Sequence, residues 1–287
     1  MKVLFVDLHL HHKNKNALLK YNFNIDSINT TNLDNIDLTK YDVVYSPGLP
    51  INVNKYINTK FLFGPHFSIQ PDYEQMNLIR GNNCIYVQPS NWAKNIWKKH
   101  IYCNNIRIES LPFGVDTNKF NEIKHIKQRT EVFVYFKHRN PIELDILAGF
   151  LHKKAIEAQL FSYGSYSEQD YIDYLHKSKY GIWLDAHESQ GFALEEALSC
   201  NVPLLVWNVT SMNQEHGQNY DDIPASSIPY WDERCGEYFY NADELEQKFN
   251  TFISNLEQEK YKPREYIVDN ISIEKCEQKF ADLVNQI

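Results

Sequence analysis

The sequence predicts an α/β protein built from two Rossmann-like halves. Three observations carry this expectation. Short apolar runs of strand length alternate with helix-like segments along nearly the whole chain. The alternation comes in two series, separated by a polar stretch near residue 120. One strand candidate, Pro203–Trp207, is apolar throughout, as strands covered on both faces of a parallel sheet are. A chain of 287 residues is long enough for two modest domains, and 43% hydrophobic content can fill two cores.

In the first series Lys2–Val6, Tyr41–Tyr45, Phe61–Phe63 and Cys84–Val87 read as strands. Ser90–His100 reads as a helix with Ser90 at its N-cap. Ile106–Glu109 leads into Leu111–Phe120, "LPFGVDTNKF", whose Pro-Phe-Gly turn and polar continuation to Arg129 mark a connection between halves. The second series opens with the strand Val132–Phe136 and the helix Pro141–Lys153, where proline suits the first turn. Ala158–Tyr163 is a strand, and Ser167–His176 a helix capped by Ser167 with acids in its first turn. Tyr180–Leu184, the helix Gly191–Cys200 and Pro203–Trp207 follow. Asn208–Glu237 is a long polar loop, of a length that usually carries function. Asn241–Leu256 and Pro263–Gln286 read as mostly helical. Strand–helix alternation implies right-handed crossovers and parallel sheets.

Composition narrows the class of function. The formal charge of −8 argues against a general nucleic-acid binder. The five cysteines, Cys84, Cys103, Cys200, Cys235 and Cys276, are far apart and form no C-x-x-C pair, which reads as reduced thiols of a cytoplasmic protein. The N-terminal run is too short for a signal peptide, and no stretch reaches transmembrane length, so membrane contact would be peripheral.

The most informative stretch is His187–Trp207, "HESQGFALEEALSCNVPLLVW". A helix begins just past Gly191, at the carboxyl end of a strand, where open parallel sheets bind their ligands. Helix N-termini present N–H groups and a positive dipole end, so Gln190, Gly191, Phe192, Ala193 and Leu194 are suited to cradle a diphosphate. On a helical wheel of about 100° per residue, Ala193, Leu194, Ala197, Leu198 and Cys200 fill one arc. Glu195 falls opposite it, toward solvent, and Glu196 at its edge, placed to bind a diol such as ribose. Two solvated acids favoured by the helix dipole are the plainer reading of the same residues.

"ESQGFALEE" resembles the E-x7-E signature of retaining, nucleotide-sugar-dependent glycosyltransferases of the GT-B fold. "ALSCNVPLLVW" is similar to the continuation of that signature, with Asn201 where the family usually has Gly, a mild change at a left-handed helix cap. "LPFGVDTNKF" resembles the family's "PNGVDxxxF" at the domain junction. The resemblance covers roughly residues 84–287 and implies two Rossmann-like domains facing across a cleft. These would be residues 1–118 on the acceptor side and 119–287 on the nucleotide-sugar side, with the last helix, about 273–286, packing back toward the first. It implies that Glu188 touches the donor sugar and Glu196 the ribose. A basic pair after the first strand of the second half is implied for the diphosphate, and "VYFKHRNP" offers Lys137 and Arg139, at a tighter spacing than the family's. His187 joins the donor-binding set. His66, in "FGPHFSIQPD", stands in a region where family members often have a histidine that contacts the donor sugar, and with Glu188 it is the catalytic candidate.

The chain departs from the family after its first strand, where "DLHLHHKNKN" replaces a Gly-rich loop. No carboxylate is fixed beside His9, His11 and His12, so no metal is expected, and no cofactor beyond the nucleotide sugar itself. The expected activity is transfer of a sugar from a nucleoside diphosphate to a glycan or other hydroxyl acceptor, with retention of configuration. A nucleotide-sugar epimerase on the same fold and a non-catalytic nucleotide-sugar-binding subunit remain the rivals.

Overall fold

The computed structural model describes residues 1–65 and 71–287. Its strands form two sheets, each parallel throughout, of six and five strands. The chain divides into two compact units: Met1–Gly114 with Ile273–Ile287, and Val115–Ser272. The division thus falls four residues before position 118.

In the first unit the elements run β1 (Lys2–Val6), α1 (His12–Leu18), β2 (Asn24–Ile28), β3 (Val43–Ser46), β4 (Phe61–Phe63), α2 (Tyr73–Leu78), β5 (Cys84–Gln88), α3 (Asn91–Lys99) and β6 (Ile108–Ser110). The strand order is β2-β1-β3-β4-β5-β6. β3, β4 and β5 have no exposed residue and carry the Tyr, Phe, Val and Ile expected of doubly covered strands. β2 and α1 have weak patterns, NIDSI and HKNKNAL, and do not stand out in the sequence: β2 is an edge strand with no buried residue, and α1 buries only Ala17 and Leu18. Ser90 occupies the N-cap of α3, but its hydroxyl makes no capping hydrogen bond.

The second unit runs β7 (Glu131–Lys137), α4 (Pro141–Lys153), β8 (Gln159–Ser162), α5 (Glu168–Leu175), β9 (Ser178–Asp185), α6 (Phe192–Ser199), β10 (Leu204–Trp207), β11 (Gly236–Phe239), α7 (Leu245–Glu257) and α8 (Pro263–Asn270). Its strand order is β11-β10-β9-β7-β8. In both units the first strand lies between the second and the third, so the order reverses between the first and third strands. Such a reversal opens a crevice at the carboxyl ends of those two strands. β11 closes the long polar loop as an edge strand, paired with β10 from Leu204↔Gly236 to Trp207↔Phe239.

The final helix α9 (Ile273–Asn285) belongs to the first unit. Its Phe280 packs edge-on to Tyr45 and against Phe23 and Tyr21, with ring centroids 5.4, 5.3 and 6.2 Å apart. Arg107 Nη1 donates to the Gln286 carbonyl at 2.8 Å, and Lys60 Nζ to that of Val284 at 3.1 Å.

Candidate functional site

In the second unit the crevice lies between β7 and β9, and both strands end there in a charged residue. Lys137 closes β7 and Asp185 closes β9, and the register pairs them side by side. Register partners on adjacent parallel strands project to the same face. Lys137 Nζ forms a hydrogen-bonded ion pair with Glu188 Oε1, three residues past Asp185. The side chains of this pair keep 18% and 19% of their surface exposed, so both open onto solvent. The ammonium also sits 4.7 Å from the ring centroid of Tyr163, just past the end of β8.

Burial disfavours the charge on Lys137, but the carboxyls of Asp185 and Glu188 outweigh it and raise its pKa. Burial pushes the Asp185 pKa well above the usual carboxylate range; the Glu188 charge adds to this and Lys137 opposes it. For Glu188, burial acts upward but Lys137 and a hydrogen bond from Asp185 prevail, and its pKa lies below the usual value.

The long loop after β10 returns over this mouth. Its Ser226 carbonyl accepts from the Glu188 backbone N–H at 3.0 Å. Asn208 Oδ1 gathers the Ser227 N–H and hydroxyl, both at 2.9 Å. Earlier in the same loop, Glu215 is flanked by two imidazoles: His187 Nδ1 is 3.3 Å from Oε2 and His138 Nδ1 is 3.4 Å from Oε1. Burial lowers the His187 pKa, with Glu215 acting against it. His187, expected among the donor-binding residues, is thereby engaged with the loop.

Gly191 starts α6 at φ 95°, ψ 51°. A side chain there would be strained by the left-handed backbone alone, which explains glycine at the helix mouth. The other end of α6 closes in a Schellman motif. Asn201 takes φ 59°, its N–H donates to Leu198 O at 2.9 Å, and the Val202 N–H donates to Ala197 O at 3.1 Å. In the first turn, the Ala193 carbonyl accepts from the Tyr171 hydroxyl at 2.9 Å.

One sequence expectation is corrected here. Glu195 does not face solvent: it is 0% exposed, and its Oε2 accepts from Gln190 Nε2 at 2.9 Å. The wheel treats the side away from the sheet as solvent, but α8 packs on that side of α6, near enough for Glu195 to raise the pKa of Tyr266 after burial has done so. Arg139, offered beside Lys137 for the diphosphate in the sequence, is a buried cation. It is 1% exposed, its guanidinium grips Glu143 with Nε at 2.8 Å and Nη2 at 2.7 Å, and Nη1 donates to the carbonyls of Trp207 at 2.6 Å and Asp185 at 3.2 Å. Glu143, in the first turn of α4, draws it inward.

Glu196 is 4% exposed and lies near the hydroxyls of Tyr166 and Tyr171, whose pKa values its charge raises after burial. The structure therefore brings Lys137, Glu188 and His187 together around Asp185, with Gly191 and the first turn of α6 following. His66 lies outside the described residues. Among the described residues no cluster of three or more His, Cys, Asp or Glu could hold a metal ion; His11 instead caps α1, its Nδ1 accepting from the Lys13 N–H at 3.3 Å. All five cysteines are buried thiols. Sequence reasoning missed Asp185, Tyr163 and Glu215. The signal for Asp185 was an acid closing an otherwise apolar strand, and that for Tyr163 an aromatic at the end of the neighbouring one.

No family model and no curated protein sequence matches the chain. Solved structures do resemble it. Sucrose-phosphate synthase from Thermosynechococcus elongatus superposes with a TM-score of 0.58 at 10% identity, over 100% of this chain and 98% of that one. AviGT4, a glycosyltransferase involved in avilamycin A biosynthesis, gives 0.57 at 11% identity, over 99% and 97%. S. aureus TarM, in complex with fondaparinux, α-GlcNAc-glycerol and UDP, gives 0.52 at 16% identity over 80% of this chain and 53% of that one, so this chain spans about half its length. At such identities the likeness concerns the fold, which is of GT-B type: two parallel-sheet α/β units in one chain.

Proposed function

We propose that this protein is a glycosyltransferase that moves a sugar from a nucleoside diphosphate sugar to a glycan or other hydroxyl acceptor. A fold of this type does not by itself carry the activity. The observation that carries it is the Lys137–Glu188 pair, partly open to solvent, at the strand-order reversal of the second sheet and just ahead of the Gly191 turn. A cation and an acid side by side suit the two ends of a sugar diphosphate: the ammonium takes the phosphate charge and the carboxylate takes sugar hydroxyls. The UDP in the TarM structure is a nucleoside diphosphate held by a protein of similar fold.

In this reading Lys137 and the amides of Phe192, Ala193 and Leu194 stabilise the departing diphosphate, and Glu188 orients the sugar. Glu196 binds the ribose, at the cost of separating it from its tyrosine neighbours. Arg139 acts as a strut: by holding the Asp185 and Trp207 carbonyls and Glu143 it fixes the ends of β9 and β10 against α4. Transfer proceeds with retention and without a metal, the latter tested by activity in EDTA.

The deciding experiment is a thermal-shift screen of nucleoside diphosphate sugars, followed by calorimetry and a transfer assay with the donor that binds. Lys137→Ala should weaken the nucleoside diphosphate by roughly ten- to a hundredfold, the scale of one charge-assisted hydrogen bond, and the bare nucleoside far less. Glu188→Gln should lower turnover more than it lowers diphosphate affinity. Normal diphosphate binding by Lys137→Ala would remove this pocket from the reading. Binding without turnover by the unaltered protein would make it a nucleotide-sugar-binding protein.

A further inference from the structure

We infer that Asp185 is a positioning residue: a neutral carboxylic acid whose O–H donates to the Glu188 carboxylate and holds it at the mouth of the site. The register sets Asp185 beside Lys137 on one face of the sheet. Asp185 is 0% exposed, and apart from the adjacent Ala186 backbone N–H, whose influence is smaller than that of burial, no N–H donor of the described residues reaches its carboxyl oxygens. The Lys137 ammonium is engaged with Glu188. What Asp185 does meet is the Glu188 carboxyl itself. Two carboxyls in contact, with one ammonium between them, carry one negative charge too many unless a proton is shared. A fully buried ionised carboxylate with a single backbone donor is also a costly state for an acid to adopt.

The geometry says which acid keeps the proton. Glu188 has the ammonium and 19% of its side-chain surface exposed, both of which favour its charge. Asp185 has neither. The other groups around them do not reverse this order. Tyr135, on β7, is near enough to feel the Asp185 charge, but burial is the main reason its hydroxyl stays protonated. Arg139 reaches only the Asp185 backbone carbonyl and is matched by Glu143. His187 is paired with Glu215, with His138 on the other side of that carboxylate, and Tyr163 lies under Lys137.

The consequence rests on the proposed function. When an anionic ligand draws Lys137 away, Glu188 loses its ion pair and the Asp185 O–H keeps its carboxylate in place. An ionised aspartate would repel it at that moment. The protonation itself does not depend on the ligand, and it can be tested without one.

Infrared spectroscopy of the full chain, with 13C-labelled aspartate, should show at pH 7 a protonated-carboxyl C=O band that shifts on labelling and is absent from Asp185→Asn. A second measurement uses stability. In the unfolded chain Asp185 ionises above about pH 4, while the folded chain retains its proton, so this residue costs stability as pH rises. Asp185→Asn keeps a donor and cannot ionise. Its Tm relative to the unaltered protein should therefore rise between pH 5 and pH 8, on the order of 5 °C. In transfer, Asp185→Asn should retain kcat within about threefold while Asp185→Ala loses roughly tenfold or more, with diphosphate affinity unchanged in both. Absence of the band, together with a Tm difference that does not change with pH, would overturn the proposal. So would equal loss of kcat in two folded variants. If no donor is turned over, or Asp185→Ala does not fold, the band and the pH series decide alone.

Discussion

Glu195 and Glu196 are neighbours in α6, and each has found a different set of polar contacts inside the protein. Glu195 accepts from the buried Gln190 amide, so removing it leaves that amide without this acceptor. Glu195→Ala should cost about 1–3 kcal/mol of stability, read from urea denaturation with nucleotide absent; an unchanged midpoint would show that the bond contributes nothing net. His187 supplies a pH dependence. Its pKa is lowered by burial, so the fold favours the neutral ring, and the same holds for His176. The stability gained is present above the unfolded value of about 6.5 and is lost as pH falls through the lower folded value. The protein should therefore lose stability below about pH 6.5, and His187→Gln should flatten part of that slope in a Tm series from pH 7.5 to 5.5. A slope identical to that of the unaltered protein would assign the effect to other groups.

At the scale of elements, α6 is two turns long and depends on its ends. It starts at a left-handed glycine without a side-chain cap and closes in a Schellman turn on Asn201. Arg264 from α8 adds a donor to that closing turn, its Nη1 reaching the Ser199 carbonyl at 2.6 Å and that of Phe120 at 3.0 Å. The left-handed position predicts an ordering. Asn201→Gly should be neutral within a few tenths of a kcal/mol, and Asn201→Val should cost about 1–2 kcal/mol because its branched Cβ crowds the carbonyl. Chemical denaturation of the pair measures this. The reverse order would mean that the Asn201 side chain, whose Oδ1 lies 3.4 Å from the Arg264 backbone N, matters more than its φ.

At the scale of the whole molecule, each unit has its own core. That of the first includes Phe61, Phe63, Tyr86 and Trp97, and that of the second Leu147, Leu205, Phe239 and Phe252. The second unit is one continuous segment, whereas the first is completed by α9 from the far end of the chain. Deleting residues 273–287 removes Phe280 from the Tyr21, Phe23 and Tyr45 rings. Loss of one buried Phe typically costs about 3–5 kcal/mol. The truncated protein should therefore show an early unfolding transition in calorimetry while keeping its diphosphate affinity. A single transition at the original temperature would mean that the helix contributes little to the first unit.

The sequence alone determined the strands and helices whose patterns are strong: β1, β4 and α4 match their expected limits residue for residue, and the Gly191 and Asn201 turns follow from backbone sterics. It also pointed to the loop at Glu188, because a strand end followed by glycine and a helix is a local arrangement. It did not show β2 or α1, whose short, polar patterns are stabilised by neighbours distant in the chain. Nor could it decide which charges face solvent. Glu195 is buried because α8, some 70 residues on, covers it, and Arg139 turns inward to carbonyls on β9 and β10. The pairing of Lys137 with Asp185 exists only in the register of β7 on β9, 48 positions apart. Periodicity reports which face of an element is apolar, but whether a polar group on the other face meets water depends on what packs there, and only the tertiary structure supplies that.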